Sequence, residues 1–214
     1  MYKRQVLKET IIASQNIRFE GDGYSDEWKD EAARRGLTNI CHVPEAIMKF
    51  NDPQSRSVLI GEKIFNENEL NCRIEVELEK FTKKVQIESR VLGDLAINHI
   101  VPTAVIYQNR LLENLRGLKE IFSTEEYEEM TADRKDLVRE IQRRILSIKK
   151  AVHDMTEARK VANHLGSQVE KAFSYEEKVR PYLEEIREHI DSLELEIDDE
   201  IWPLPKYREL LFTK

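Results

Sequence analysis

Between Asn66 and Phe122 the sequence keeps apolar residues at helical spacing for longer than anywhere else in its 214 residues. Leu70, Ile74, Leu78, Phe81, Val85, Leu92 and Leu95 fall three, four or seven apart, which lines them along one side of a helix. A second row through Val76, Ile87, Val91 and Ile97 runs beside the first, so the reading is a central rod wetted only on a narrow face. Asn66, with Glu69 three residues on, predicts a reciprocal cap at its start. Pro102 withholds a backbone donor and predicts a break or kink near His99. Past it Val105, Ile106, Leu111, Leu112, Leu115 and Leu118 carry the helix on to about Phe122. Gly117 within that run costs about 1 kcal/mol relative to alanine, which predicts close packing against a neighbour.

The last third carries a pairing signal. Leu137, Ile141, Ile145, Ile148, Val152 and Met155 form one seam, and Val179, Leu183, Ile186, Ile190, Leu193 and Ile197 another, both in the alternating steps of three and four that a coiled coil uses. His164-Leu-Gly-Ser167 supplies a turn, so residues 133–201 should fold back as an antiparallel hairpin. Arg134, Lys135, Arg139, Arg143, Arg144, Lys149 and Lys150 would then run beside Glu184, Glu185, Glu188, Asp191, Glu194, Glu196, Asp198 and Asp199, and choose the alignment. Pro181 predicts a kink between Ser174 and itself. Ser123 or Thr124 should cap the first of these helices. Glu125, Glu126, Glu128 and Glu129 behind that cap are better placed to favour a helix N-terminus than to hold a cation.

The front of the chain is more broken. Val6, Leu7, Ile11 and Ile12 make the apolar side of a short helix over residues 6–14. Residues 1–5 look foreign to it, since Tyr-Lys-Arg-Gln is also what a common transposon-type adapter encodes, and the reading is of a chain whose upstream part is missing. Gly21 and Gly23 sit in a turn where both are free to take positive φ, without the third glycine or the Gly-Lys-Ser/Thr of a phosphate loop. Ser25 or Asp26 caps a helix through Arg35 that stops at Gly36, Pro44 opens a short helix to Phe50, and Asn51-Asp-Pro53 breaks the chain before the rod.

Charge and composition exclude several function classes. A net charge of -7 argues against nucleic acid as the main partner, because phosphate binding needs a basic surface. No apolar run approaches the roughly 20 residues of a membrane span, and the polar N-terminus is no signal peptide, so the cytoplasm is the expected address. Cys41 and Cys72 show no paired spacing and are expected as reduced thiols. His42, His99, His153, His164 and His189 are scattered without metal spacing, and neither Glu-x-x-His nor His-Glu-x-x-His occurs. Glu185 and His189 lie one turn apart on what the heptad count makes a solvated face. Cys41 beside His42 is a poor nucleophile and base, because adjacent residues rarely aim at one another. No catalytic, cofactor-binding or metal-binding residue is assigned.

Several stretches carry a family resemblance. Leu7-Lys-Glu-Thr-Ile11, the run Ile17-Arg-Phe-Glu-Gly-Asp-Gly-Tyr-Ser-Asp-Glu-Trp28, Glu31-Ala-Ala-Arg-Arg-Gly-Leu37, Gln86-Ile-Glu-Ser-Arg-Val-Leu-Gly-Asp-Leu-Ala96, His99-Ile-Val-Pro-Thr-Ala104 and the closing Trp202-Pro-Leu-Pro-Lys-Tyr-Arg-Glu-Leu-Leu-Phe212 resemble the C-terminal region of type III glutamine synthetase. The resemblance spans nearly the whole chain from Val6. It implies an intact ligase that joins ammonia to glutamate with ATP and Mg2+ or Mn2+ through a γ-glutamyl phosphate, as a large homo-oligomeric ring. The family's catalytic residues lie upstream of everything present here, so the implied role of this portion is structural support and assembly, inactive alone. A stand-alone helical interaction module that has lost catalysis is the alternative.

The expected fold is therefore mainly α: a helical bundle with a long central helix and a coiled-coil-like hairpin over residues 61–214, preceded in residues 1–60 by the tail of an α+β catalytic domain. Leu210, Leu211 and Phe212 are expected in the core or docked within the chain, with an anchor on a neighbouring subunit as the other reading.

Overall fold

The computed structural model describes residues 2–211, which are mainly helical, with no strand among them. Two compact units divide between Cys41 and His42.

The first unit holds α1 (Tyr2–Ala13) and α2 (Asp26–Arg34). Helix α1 begins four residues before the expected start at Val6, and its apolar side is uncovered: Val6, Leu7, Ile11 and Ile12 are all exposed. Ser25 caps α2 by accepting from the Trp28 N–H at 3.3 Å. The helix stops where Gly36 turns left-handed at φ 69°, with the Leu37 N–H returning to the Ala32 carbonyl and the Gly36 N–H to that of Ala33. Positive φ thus falls on Gly36, the expected stop of the helix, and on neither Gly21 nor Gly23, which the turn left free to take it. Phe19 instead packs its ring on Trp28, 5.0 Å between centroids.

In the second unit α3 (Val43–Met48) and α4 (Pro53–Gly61) precede the rod, each with a proline in its first turn, where no backbone donor is missed. Helix α4 ends in the same left-handed device as α2, but with Lys63 at φ 59° in the glycine's place. The rod then runs as α5 (Glu67–Leu95), a widened π turn (Ala96–Ile100) and α6 (Val101–Ile121). Asn66 and Glu69 form the expected reciprocal cap, at 2.9 and 2.8 Å. The chain does not break at Pro102. The Val101 N–H reaches back to the Ala96 carbonyl, five residues away, and the turn this opens makes room for the proline ring while the helix continues.

Helix α7 (Thr124–Asn163) is capped by Ser123 and Glu126 and lies against α6. After a turn the chain returns as α8 (Gln168–Ser174), a second π turn (Tyr175–Val179) and α9 (Arg180–Glu196), followed by the short α10 (Tyr207–Leu210). Asn163 meets Tyr175 beside the turn, whereas Arg144 lies near Glu196 at the other end, so the hairpin is antiparallel as expected.

The main core gathers Ile141, Ile145, Ile148 and Met155 of α7, Ile186, Ile190 and Leu193 of α9, and Ala96, Ile100 and Ala104 of the rod, closed by Ile197 and Trp202. Burying each of the larger side chains stabilises the fold by about 1.5–3 kcal/mol. A smaller cluster joins Leu70, Ile74 and Leu78 to Ala172, flanked by Ile47, Leu59 and Phe65.

Two expectations fail here. The second row of the rod is exposed at Val76, Ile87 and Val91, because α3, α7 and α8 all pack on the other side of α5. That side is completed by small residues, Thr82, Ser89 and Gly93, which let α7 come close: a Cβ on Gly93 would stand 3.5 Å from Val152. Gly117, expected at a close contact, has nothing within 4 Å of where its Cβ would be.

Candidate functional site

The second π turn gathers buried polar groups that no spacing rule had singled out. One extra residue in that turn lets Tyr175 and Glu176, neighbours in sequence, both point inward. Tyr175 is fully buried and donates its hydroxyl proton to the Asn163 side-chain oxygen at 2.7 Å, and the Gln86 amide reaches the same oxygen at 3.2 Å. Burial pushes the Tyr175 hydroxyl up from its ordinary pKa.

Glu176 keeps only 5% of its side chain exposed. Its Oε1 accepts from Arg180 at 2.7 Å and lies 2.8 Å from His42 Nδ1, which ties the start of α3 to the head of α9. The second oxygen, Oε2, is buried without a partner. Arg180 also borders a cleft of about 360 Å³ between α3 and α5, where Glu77, Lys80, Lys84 and Glu88 stand over Phe81 and Val85. Glu77 and Lys80 neutralise one another at 2.6 Å. Since His42 is engaged by Glu176, it serves as a structural tie and not as a base for Cys41, whose Sγ is exposed and 4.0 Å from the Asn39 carbonyl.

A second polar group lies at the far end of the hairpin. Glu140 binds Arg143 and, at 2.8 Å, Arg144, and its carboxyl is held below the ordinary range by the Arg143 hydrogen bond. His189 is half-buried with Nδ1 enclosed, so it faces α7 and not solvent as the heptad count had it. Glu185, its expected partner, is exposed. Burial raises the carboxyl of Glu196 against the attraction of Arg144.

The charges predicted to pair across the hairpin mostly pair along a helix instead. Lys135 takes Glu128, Arg139 takes Asp136, and Arg143 and Arg144 share Glu140, all on α7; Arg187 takes Asp191 on α9. A partner one turn away, or two turns for Lys135 and Glu128, is already in position on the same helix, whereas one across the seam must be reached over apolar side chains. Asp198 and Asp199 go elsewhere, to Arg110 at 3.3 Å and to Lys206. The acidic start of α7 behaves as a cap, with Glu126 on Ser123 and Glu128 on Lys135.

Among the described residues no three His, Cys, Asp or Glu side chains come together in a metal-holding arrangement, and no helix is long and apolar enough to cross a membrane. The rod, the hairpin and their buried polar ties define a mainly helical region, the class of structure that this chain forms. The chain belongs to the glutamine synthetase C-terminal domain family, whose sequence profile matches residues 3–119. It is similar to a glutamine synthetase of Bacteroides fragilis, 77% identical over 210 residues, which are 98% of this chain and 29% of that protein. A type-3 glutamine synthetase of Dictyostelium discoideum is 27% identical over 220 residues, and a glutamine synthetase of Butyrivibrio fibrisolvens 28% over 210, with the same coverage. The chain thus spans less than a third of the length of these relatives, and the family resemblance read from its motifs holds.

Proposed function

We propose that this chain is the C-terminal region of a cytoplasmic glutamine synthetase. The intact enzyme joins ammonia to glutamate through γ-glutamyl phosphate, using ATP and Mg2+ or Mn2+, and this region holds the subunits of its homo-oligomer together without catalytic activity of its own. The observation that carries this reading is the match of 98% of the chain to 29% of a glutamine synthetase. The described residues bring together no donor set for the metal, so no step of the ligation is assigned to them. Apolar surface left open on α1 and α5 supports an assembly role, because uncovered apolar side chains in rows are what a subunit contact would cover.

The test has two parts. Sequencing the source genome upstream of codon 6 should reveal a reading frame that continues into a ligase domain. Deleting residues 61–214 from that intact protein should then reduce its mass in solution to smaller species, measured by light scattering. A stop codon directly upstream would instead favour the stand-alone interaction module, and an undiminished assembly would remove the scaffolding role.

A further inference from the structure

An apolar pocket of about 280 Å³ opens between α3 and the first turns of α5, with Arg73 at its edge. Ile47, Phe50, Phe65, Leu70 and Ile74 form its walls. Phe65 is held there by the entry to the rod. It immediately precedes the Asn66 cap, and the small core cluster it packs against includes Leu70, the fourth residue of α5, which is the staple position for that site. The Arg73 guanidinium lies over the Phe65 ring, 4.6 Å from its centroid, so the aromatic face fixes the cation beside the opening. A helical cation usually finds its carboxylate one turn away. Glu69, one turn before Arg73, accepts instead from the Asn66 N–H at 2.8 Å, and Glu77, one turn after it, is bound by Lys80 at 2.6 Å. Among the described residues Arg73 therefore makes no ion pair.

We propose that this pocket binds a small carboxylic acid with an apolar body, its carboxylate on Arg73 and its body among Ile47, Phe65 and Ile74. The planar fork of an arginine matches both oxygens of a carboxylate, and this fork is already positioned by a ring that is itself part of the wall. The walls select against polar bodies, because hydroxyl or amino groups placed among these side chains would lose their hydrogen bonds to water. Glu77 also lines the pocket, but Lys80 neutralises it, so the field at the mouth is that of Arg73. The volume lies near the lower end of ligand sites, roughly 300 Å³, which suits one ring or one branched chain and excludes a nucleotide. The site is independent of the assembly role proposed above.

The test is an NMR titration of the 214-residue chain, labelled at isoleucine methyl groups, with 3-phenylpropionate. The Ile47 and Ile74 signals should move saturably, while those of Ile141 and Ile148 in the main core stay in place. The uncharged 3-phenylpropan-1-ol, with the same body, should bind about tenfold or more weakly, the equivalent of one charge-assisted hydrogen bond. Arg73→Gln, at an exposed position, should bring the acid down to the affinity of the alcohol and leave the alcohol unchanged. Arg73→Lys, which keeps the charge without the fork, should fall between the two. No saturable shift, shifts spread equally into the main core, an acid and alcohol that bind alike to the parent chain, or acid binding undiminished in Arg73→Gln would each overturn the proposal.

Discussion

Pro102 and Pro181 stand in the same place relative to their helices: each lies two residues beyond a π turn, Ala96–Ile100 for the first and Tyr175–Val179 for the second. In both, the N–H just before the proline reaches back five residues, from Val101 to Ala96 and from Arg180 to Tyr175. The wide turn has already given up the four-residue hydrogen bond that a proline would destroy, so the proline costs little there. Replacing Pro102 by alanine should change stability by less than about 1 kcal/mol, against the roughly 3 kcal/mol recovered when a proline leaves an ordinary helix interior. Urea unfolding would show it, and a gain near the larger figure would mean that the proline strains the rod.

Gly117 has the opposite standing. It is exposed, mid-helix, and has open space where a methyl group would go. Gly117→Ala should therefore raise stability by about 0.5–1 kcal/mol, the difference in helix propensity. A loss in thermal or denaturant unfolding would point to a neighbour that the described residues do not contain.

Much of the rod and hairpin could be read from hydrophobic spacing because Leu70, Ile74, Leu78 and Val85, and the α7 and α9 seams, bury the residues that the pattern names. The pattern errs where burial is decided by closeness and not by hydrophobicity. Thr82, Ser89 and Gly93 are inside because α7 approaches there, and Val76, Ile87 and Val91 are outside because none of the described residues covers that side. The buried polar groups were invisible for a different reason. Glu176 and Tyr175 look like surface residues until a π turn rotates both inward, and the only trace of that turn in the sequence is Pro181.

Glu196 gives a prediction in pH. Burial raises its pKa in the folded state above the unfolded value, so folding takes up a proton between the two. Stability from this group is present below the unfolded pKa and is lost as pH rises through the folded one. Glu196→Gln should accordingly be more stable than the parent chain at neutral pH, and the advantage should vanish in acid below the ordinary glutamate range. Denaturant midpoints of the two proteins across that range would decide it; a constant difference would trace the effect to packing instead.

The C-terminal leucines separate stability from assembly. Leu210 and Leu211 are 67% and 63% exposed, contrary to the expected place in the core, and Phe212 lies outside the described residues. Changing Leu210 and Leu211 together to serine should leave the Tm of the chain within about 0.5 kcal/mol of equivalent stability, as exposed positions do. If the tail anchors a neighbouring subunit, the same change should lower the assembled mass of the intact protein in light scattering.

Each π turn also acts as a phase shifter. A turn that accommodates one surplus residue advances everything beyond it by about 100° around the axis, the angle one residue subtends in an α-helix. Without that advance Ala104 and Leu115, which face inward on α6, would rotate away from α7, and Ile186, Ile190 and Leu193 would do the same on α9. The rod and the returning arm of the hairpin thus hold their inward faces in step through a single supernumerary residue apiece. A one-residue deletion inside either turn would leave a perfectly good helix pointing its far half in the wrong direction.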